Sequence, residues 1–417
     1  WRSERDLNPC RGICSPLPRL SAIRPKTNAV HFLRERRSVL RADDRVRTGD
    51  LNLGKVPRYQ LRYVREEGKS IVGEAIAPKW EFNDYRYLVS SSKNAPVFWM
   101  NGRLATGLSQ VSNDPSCLAG GGFWAVSTTF EGEFQAFKFD HVIEANFPTS
   151  PWQKINGQWS SSLNESQYVT YVKKVQEHIA QGWVYQVNAC REISIDVDVE
   201  DLRGLFSKIL EGNPAPWASY LEAPGINIAS ASPELFLKRD GGRIRTSPIK
   251  GTAPVGTVDF GVKDKAENIM IVDLMRNDLG QICKSGSVSV PRLLSTEAHP
   301  GLVHLVSDIE GELKDEITWA EIFTRLSPPG SISGAPKSSA VSVIKDNEGK
   351  RGPYCGALGW VQGDKCELSV AIRIFYKDDK LRFGTGAGIT WASVADDEWE
   401  ETQLKARRLV SLAGGEL

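Results

Sequence analysis

Between Ser232 and Thr252 the chain alternates apolar and polar residues with period two, through Leu235 and Leu237 and then Ile244 and Thr246. That period belongs to half-buried strands, and two such runs so close together make a hairpin. Its ends carry chemistry. Glu234, in Ser232-Pro233-Glu234, stands at one end, and Lys250, in Pro248-Ile249-Lys250-Gly251-Thr252, at the other. An amine and a carboxyl on neighbouring strand ends address one substrate. The amine is a nucleophile only when partly deprotonated, which calls for desolvation or nearby cations, while the carboxyl must keep a proton if it is to donate one. The same pentapeptide also fits a surface lysine beside a turn.

Two further segments read as helices that each present a pair of acids. In Lys263 to Leu279, Asp264 and Glu267 are three residues apart and share a face, with Met270, Ile271 and Leu274 continuing toward the core. Near the end of the chain Glu398 and Glu401 repeat the spacing, with Lys405 one turn beyond. Two such pairs supply the hard oxygen ligands that Mg²⁺ prefers. Read singly, each pair also fits a solvated helix face or first-turn acids favoured by the helix dipole.

Two stretches have the composition of an anion site. Leu326 to Lys337 places glycines, hydroxyls and a lysine ahead of a helix. Gly384-Thr385-Gly386-Ala387-Gly388 follows a strand over 380–383, with Arg373 expected in the preceding strand, and lets a ligand approach the backbone closely. The glycines lack the βαβ setting of a dinucleotide site.

Taken in order, Tyr185-Gln186-Val187-Asn188, Ser232-Pro233-Glu234, Pro248 to Thr252, Glu267 to Leu279, His304 to Ser307, Gly330 to Lys337, Tyr354-Cys355-Gly356, Ala371-Ile372-Arg373 and Gly386-Ala387-Gly388 form a colinear series over residues 160–412. The series resembles the chorismate-utilising enzymes, and within them most resembles component I of the aminodeoxychorismate synthases. Lys250 carries that distinction, since the similar anthranilate synthases have alanine there. The resemblance implies that Lys250 attacks C2 of chorismate and that Glu234 protonates the departing C4 hydroxyl, after which ammonia adds at C4. It implies Mg²⁺ held by Glu267 and Glu401, with Asp264 and Glu398 binding metal-bound water. Arg373 and Tyr354 match contacts to the enolpyruvyl carboxylate, Gly386 and Gly388 offer backbone N–H groups, and Lys405 matches a ring-carboxylate contact. Gln186, Thr252, His304 and Ser331 match further pocket positions. The water-using relatives have lysine where Gln186 stands, so water is not the implied nucleophile.

The chain departs from that pattern at Pro329, where glycine or alanine is usual, and in a short segment between Thr252 and Lys263. It also lacks the Leu-Leu-Glu-Ser element of tryptophan-inhibited anthranilate synthases. No glutaminase signature is present, so the resemblance implies a separate glutamine amidotransferase subunit, component II, as the source of ammonia. The alternatives are anthranilate synthase component I and a non-catalytic paralogue that only binds such a partner.

Composition agrees with a cytoplasmic enzyme. With 417 residues, 41% hydrophobic content and net charge +1, the chain can bury a large core and has no electrostatic demand for nucleic acid. Seven cysteines show no paired metal spacing, which fits reduced thiols. No apolar run is long enough to span a membrane and no signal peptide is evident. Residues 1–70 are arginine-rich and unpatterned, which reads as a disordered segment or as sequence foreign to the fold; residues 71–150 read as a strand-rich region and 160–412 as the catalytic domain. Asn164 is expected to cap a helix with the stripe Tyr168, Val172, Val175 and Ile179, followed by a strand over 183–195. The resemblance supplies the architecture: α+β, a two-sheet antiparallel sandwich flanked by helices, with the site in the cleft between the sheets.

Overall fold

The structure, a computed structural model, describes residues 95–254, 260–299 and 302–417, with the side chains of 252–254, 299 and 302 excepted. The expected arginine-rich segment 1–70, and the strand-rich region as far as residue 94, lie outside the described residues.

Strands dominate, and the expected sandwich is built from one continuous antiparallel ribbon with two arms. The first arm runs, neighbour by neighbour, through Gln186–Ile195, Leu381–Ile389, Ile374–Lys377, Ile226–Ser232, Trp217–Ala223 and Val97–Met100. The second runs through Arg103–Ser112, Phe134–Glu144, Phe123–Thr128, Ala357–Gln362, Lys365–Val370, Leu235–Asp240, Arg243–Ser247 and Leu302–Glu312. Ile249–Pro254 and Ser289–His299 complete it, both paired with Leu302–Glu312. The arms join at the hairpin Met100–Arg103, whose two loop residues, Asn101 and Gly102, have φ of 49° and 80°. Positive φ at both positions is the geometry of a type I′ turn, which Asn-Gly accommodates best.

One core cluster holds side chains of both arms: Val187, Ala189, Ala387 and Ile389 of the first pack with Val126, Phe137, Leu358 and Leu368 of the second. A second cluster covers the outer face of the first arm. Helices close the layers. Helix α1 (Glu165–Ala180) begins at Asn164, whose side chain accepts from Gln167 N while the Gln167 side chain accepts from Asn164 N, both at 2.9 Å. This reciprocal pair satisfies two backbone donors that the first turn would otherwise leave open, an effect worth about 1 kcal/mol. Tyr168, Val172 and Val175 of its expected stripe are buried, and Tyr171 joins them. In the outer cluster, α2 (Arg203–Gly212) sets Phe206 and Ile209 against Tyr220, Phe375 and Phe383. Each side chain of this size, once fully buried, contributes about 1.5–3 kcal/mol.

The two helices expected to carry acid pairs are present as α3 (Val262–Ile282) and, after α4 (Trp319–Leu326) and α5 (Lys337–Asn347), as α6 (Ala395–Ala413). The buried stripe of α3 is Asn268, Ile271, Val272, Met275, Asp278, Leu279 and Ile282. Met270 and Leu274, expected on that stripe, are only half-buried. Helix α3 packs on the strand Leu302–Glu312, and α6 on the strand Leu381–Ile389.

Candidate active site

Two of the chain's passages from arm to arm run side by side, and both carry site residues. Ser232-Pro233-Glu234 leads from the first arm into Leu235–Asp240, and 371–373 lead back from Lys365–Val370 into Ile374–Lys377. The crossings are tied together: Val370 N donates to Glu234 O at 3.0 Å, Ser232 Oγ donates to Val370 O at 2.6 Å, and Ala231 N donates to Arg373 O at 3.0 Å. Arg373 therefore lies in a bend with φ 56°, not in the strand expected for it. A left-handed residue other than glycine is uncommon, and here the flanking hydrogen bonds hold it.

Glu234 is 4% exposed. Burial pushes its carboxyl up to about 7, against the opposing pull of a hydrogen bond from the Ser331 side chain and of the Lys250 ammonium. Lys250, on the strand Ile249–Pro254, donates from Nζ to the Ser331 carbonyl at 3.3 Å. The hairpin thus brings amine and acid to one residue, Ser331, in the 3-10 turn Gly330–Ile332.

Opposite them stands the glycine-rich segment. It was expected to follow a strand ending at Phe383, yet the strand runs through it to Ile389. Glycine is required because neighbours fill the space a Cβ would take: the Tyr354 ring 2.2 Å from it at Gly384, Cys190 Sγ 2.5 Å at Gly386 and Gln186 Nε2 2.4 Å at Gly388. The Cβ position of Gly388 is also 3.7 Å from Lys250 Nζ, so Gln186 and Lys250 converge there. Gln186 is 1% exposed, and both its side-chain polar atoms are without a hydrogen-bond partner. Such a group costs about 1–3 kcal/mol unless something pairs with it.

Beyond Phe383 this strand has Gln186–Ile195 as its strand neighbour. The carbonyl of Gly386 accepts from Lys405 Nζ at 2.9 Å and so points away from that neighbour. In an antiparallel ladder a residue's N–H and C=O share an edge. The N–H groups of Gly386 and Gly388 accordingly face the same free edge as Lys405. Arg373 Nη1 donates to the Lys405 carbonyl at 2.7 Å, and burial pulls its guanidinium below the ordinary value, with Tyr354 and Glu401 opposing. Tyr354 is buried with its hydroxyl 3.7 Å from Cys190 Sγ; burial raises it well above the usual phenol range, so it stays a neutral hydrogen-bonding group.

The acids of α3 and α6 approach each other. Lys263 Nζ lies 3.3 Å from Glu398 Oε1 and 4.0 Å from Glu267 Oε1. Burial raises the Glu267 carboxyl, Lys250 and Lys263 lower it, and Glu398 and Glu401 raise it further; the net direction is up. Burial also pushes Glu401 up, but Lys405 at 2.5 Å, with Lys250 and Lys263, more than offsets this and holds it below the ordinary value. Asp264 packs beside Gly251, its Cβ 3.2 Å from the position of a Cβ there. Among the described residues no three potential ligands converge to the spacing of a bound metal. The donor set nevertheless suits a hard divalent cation, being all carboxylate, and Glu267 Oε1 is buried with no hydrogen-bond partner.

His304 is buried on the strand Leu302–Glu312, its backbone opposite Thr252. The side chain of Thr252 lies outside the described residues, as do residues 255–259 of the short segment after it. Lys337, expected to help hold an anion, is committed elsewhere: its Nζ is 2.6 Å from Asp278 Oδ2 of α3 and donates to Leu326 O at 3.3 Å.

A family model described as chorismate binding enzyme matches residues 125–411, more than half of the chain. The chain belongs to the chorismate binding enzyme family. An anthranilate synthase component 1 of Haloarcula marismortui is 35% identical over 282 residues, covering 64% of this chain and 56% of that protein. An aminodeoxychorismate synthase component 1 of Salmonella typhimurium is 33% identical over 277 residues, covering 63% and 61%. The chain thus spans under two thirds of these relatives. Among solved structures, anthranilate synthase component I from Streptococcus pneumoniae matches with TM-score 0.61 and 21% identity over 76% of this chain and 90% of that one. The menaquinone-specific isochorismate synthase from Escherichia coli matches with TM-score 0.64 and 16% identity over 78% and 90%. Both share the fold.

In this family member several site residues escape sequence reasoning. Asn268 donates to Leu305 O at 3.2 Å and accepts from Ser307 Oγ at 2.6 Å, which pins α3 to its strand next to Glu267. Arg351 forks to Asn188 O at 2.6 Å and Ile332 O at 3.1 Å, paired at 2.8 Å with the buried Glu348, and so joins the Gln186 strand to the Ser331 turn. Cys190, two steps of period two beyond Gln186, was legible as sharing its side of the strand; Arg351 gave no such signal.

Proposed function

We propose that this chain aminates chorismate at C4 to give 4-amino-4-deoxychorismate, acting as component I of an aminodeoxychorismate synthase in p-aminobenzoate and folate synthesis. The observation that carries this reading is Lys250 itself, with Nζ 3.3 Å from the Ser331 carbonyl and the buried acid Glu234 within electrostatic reach.

The Lys250 amine bonds to C2 of chorismate, the two ring double bonds each shift one position, and the C4 hydroxyl leaves as water with the proton of Glu234. Ammonia then bonds to C4, the double bonds shift back and the C2–lysine bond breaks, so the net change is chorismate plus ammonia to product plus water. The enolpyruvyl group stays attached. Gln186 carries an amide that cannot take a proton from water, which supports ammonia as the nucleophile. Arg373 and Tyr354 face the enolpyruvyl carboxylate in this reading, and Lys405 with the N–H groups of Gly386 and Gly388 faces carboxylate oxygen. Thr252 and His304 are further substrate-binding positions in this reading.

Glu267 and Glu401 would hold Mg²⁺ directly, with Asp264 and Glu398 acting through water; when bound, the ion supplies a cationic clamp on the ring carboxylate. Ammonia comes from a separate glutamine amidotransferase in the cytoplasm. Among the described residues no helix is long and apolar enough to cross a membrane, and the five described cysteines are free thiols.

A second reading, anthranilate synthase component I, is favoured by the name of the 35% identical Haloarcula protein. Mass analysis of the product from chorismate, Mg²⁺ and ammonium separates the two. A product that keeps the enolpyruvyl group supports the first reading; anthranilate with released pyruvate supports the second.

A further inference from the structure

Lys263 stands where local helix physics disfavours it. It is in the first turn of α3, where the helix dipole repels a cation, and it precedes Glu267 by four residues, the weaker order for such a pair. What accounts for its position is contact across helices. Its Nζ is 3.3 Å from Glu398 Oε1 of α6 and 4.0 Å from Glu267 Oε1, an atom with no hydrogen-bond partner, while its own side chain is 52% exposed. Of the other cations near these acids, Lys405 is held on the Gly386 carbonyl and on Glu401, and Lys250 on the Ser331 carbonyl.

We infer that Lys263 is a tethered cation that bridges the acids of α3 and α6 in the metal-free chain and competes with a divalent ion for the same oxygens. Grouped carboxylates repel one another and need positive charge, the more so at Glu267 and Glu398, whose side chains are largely buried. Lys263 supplies it in the absence of metal. Because half of its side chain faces solvent, it can swing out at small cost, and a divalent ion, with twice the charge and oxygen coordination, replaces it. The inference rests on the reading of Glu267 and Glu401 as metal-holding residues.

The test is Mn²⁺ binding by the substrate-free full chain, read from the free-ion electron paramagnetic resonance signal, for the parent, Lys263→Met and Glu267→Gln. Removing a partly exposed competing ion pair worth about 1 kcal/mol tightens Mn²⁺ binding of Lys263→Met roughly fivefold. The metal-free variant also melts below the metal-free parent, and added Mg²⁺ closes the gap. Lys263→Arg, which keeps the charge, binds Mn²⁺ as the parent does. If Lys263→Met binds no tighter than the parent while Glu267→Gln binds more weakly, the competing-cation inference fails and the metal reading stands. If Glu267→Gln binds as tightly as the parent, the metal reading fails and takes the inference with it.

Discussion

Lys250 Nζ lies 3.3 Å from the carbonyl oxygen of Ser331, and the side chain of the same serine hydrogen-bonds Glu234. The proposed nucleophile and the proposed acid are therefore positioned from a single turn. That turn is in turn fixed by Arg351, which donates to Ile332 O at 3.1 Å.

In the proposed mechanism the state of Glu234 governs the pH profile. With its carboxyl at about 7 in the folded chain, kcat/KM for chorismate at constant free ammonia falls as pH rises through that value, because the acid loses its proton. Glu234→Gln removes this limb and costs about 10²–10⁴ in rate.

The same shift has a stability consequence. The folded value lies above the ordinary 4.5, so Glu234 favours the folded state fully below about 4.5, and this contribution is lost as pH rises through about 7. The loss is on the order of 3 kcal/mol. Denaturant titrations at pH 5 and pH 8 show a smaller drop for Glu234→Gln than for the parent.

How much of this was legible in the sequence follows from range. The Glu234–Lys250 hairpin and the acid-bearing helices were, because period and spacing are local signals. The bend at Arg373 was not, since its positive φ is imposed by the hydrogen bond of Ala231 N to the Arg373 carbonyl. The strand was expected to end before Gly384 because glycine usually punctuates, whereas here it makes room for Tyr354, Cys190 and Gln186 from distant segments. Lys337 read as an anion ligand because its partner Asp278 is a long way back in the chain, and the joining of two sheets through Asn101-Gly102 is a matter of long-range pairing.

Gly388→Ala tests the packing of the site. A Cβ there would lie 2.4 Å from Gln186 Nε2, so Gln186 must move, and a displacement of about 1 Å beside the reacting groups costs up to about 10² in kcat/KM. Gly280→Ala, in α3 with open space around the new Cβ, leaves activity unchanged and stabilises by about 0.5–1 kcal/mol. Steady-state kinetics alongside thermal melts compare the two.

Glu401→Gln raises the Mg²⁺ requirement and weakens chorismate binding together, because in the proposed reading this carboxylate holds the ion and it also positions Lys405 at 2.5 Å. Superimposable magnesium titrations for variant and parent would show that Glu401 holds no metal.

Purified alone, the chain uses ammonium and not glutamine, with more turnover at alkaline pH insofar as free ammonia limits the rate. Glutamine use appears only on adding an amidotransferase subunit. Product formed by this chain from glutamine as sole nitrogen donor would be the contrary result.

The product distribution of Lys250→Ala tests the central claim most directly. With chorismate, Mg²⁺ and ammonium, the parent forms 4-amino-4-deoxychorismate; the variant loses most of that product and shifts toward anthranilate, because ammonia then has open access to C2. An unchanged yield of 4-amino-4-deoxychorismate from Lys250→Ala would contradict the account and remove the lysine from the mechanism.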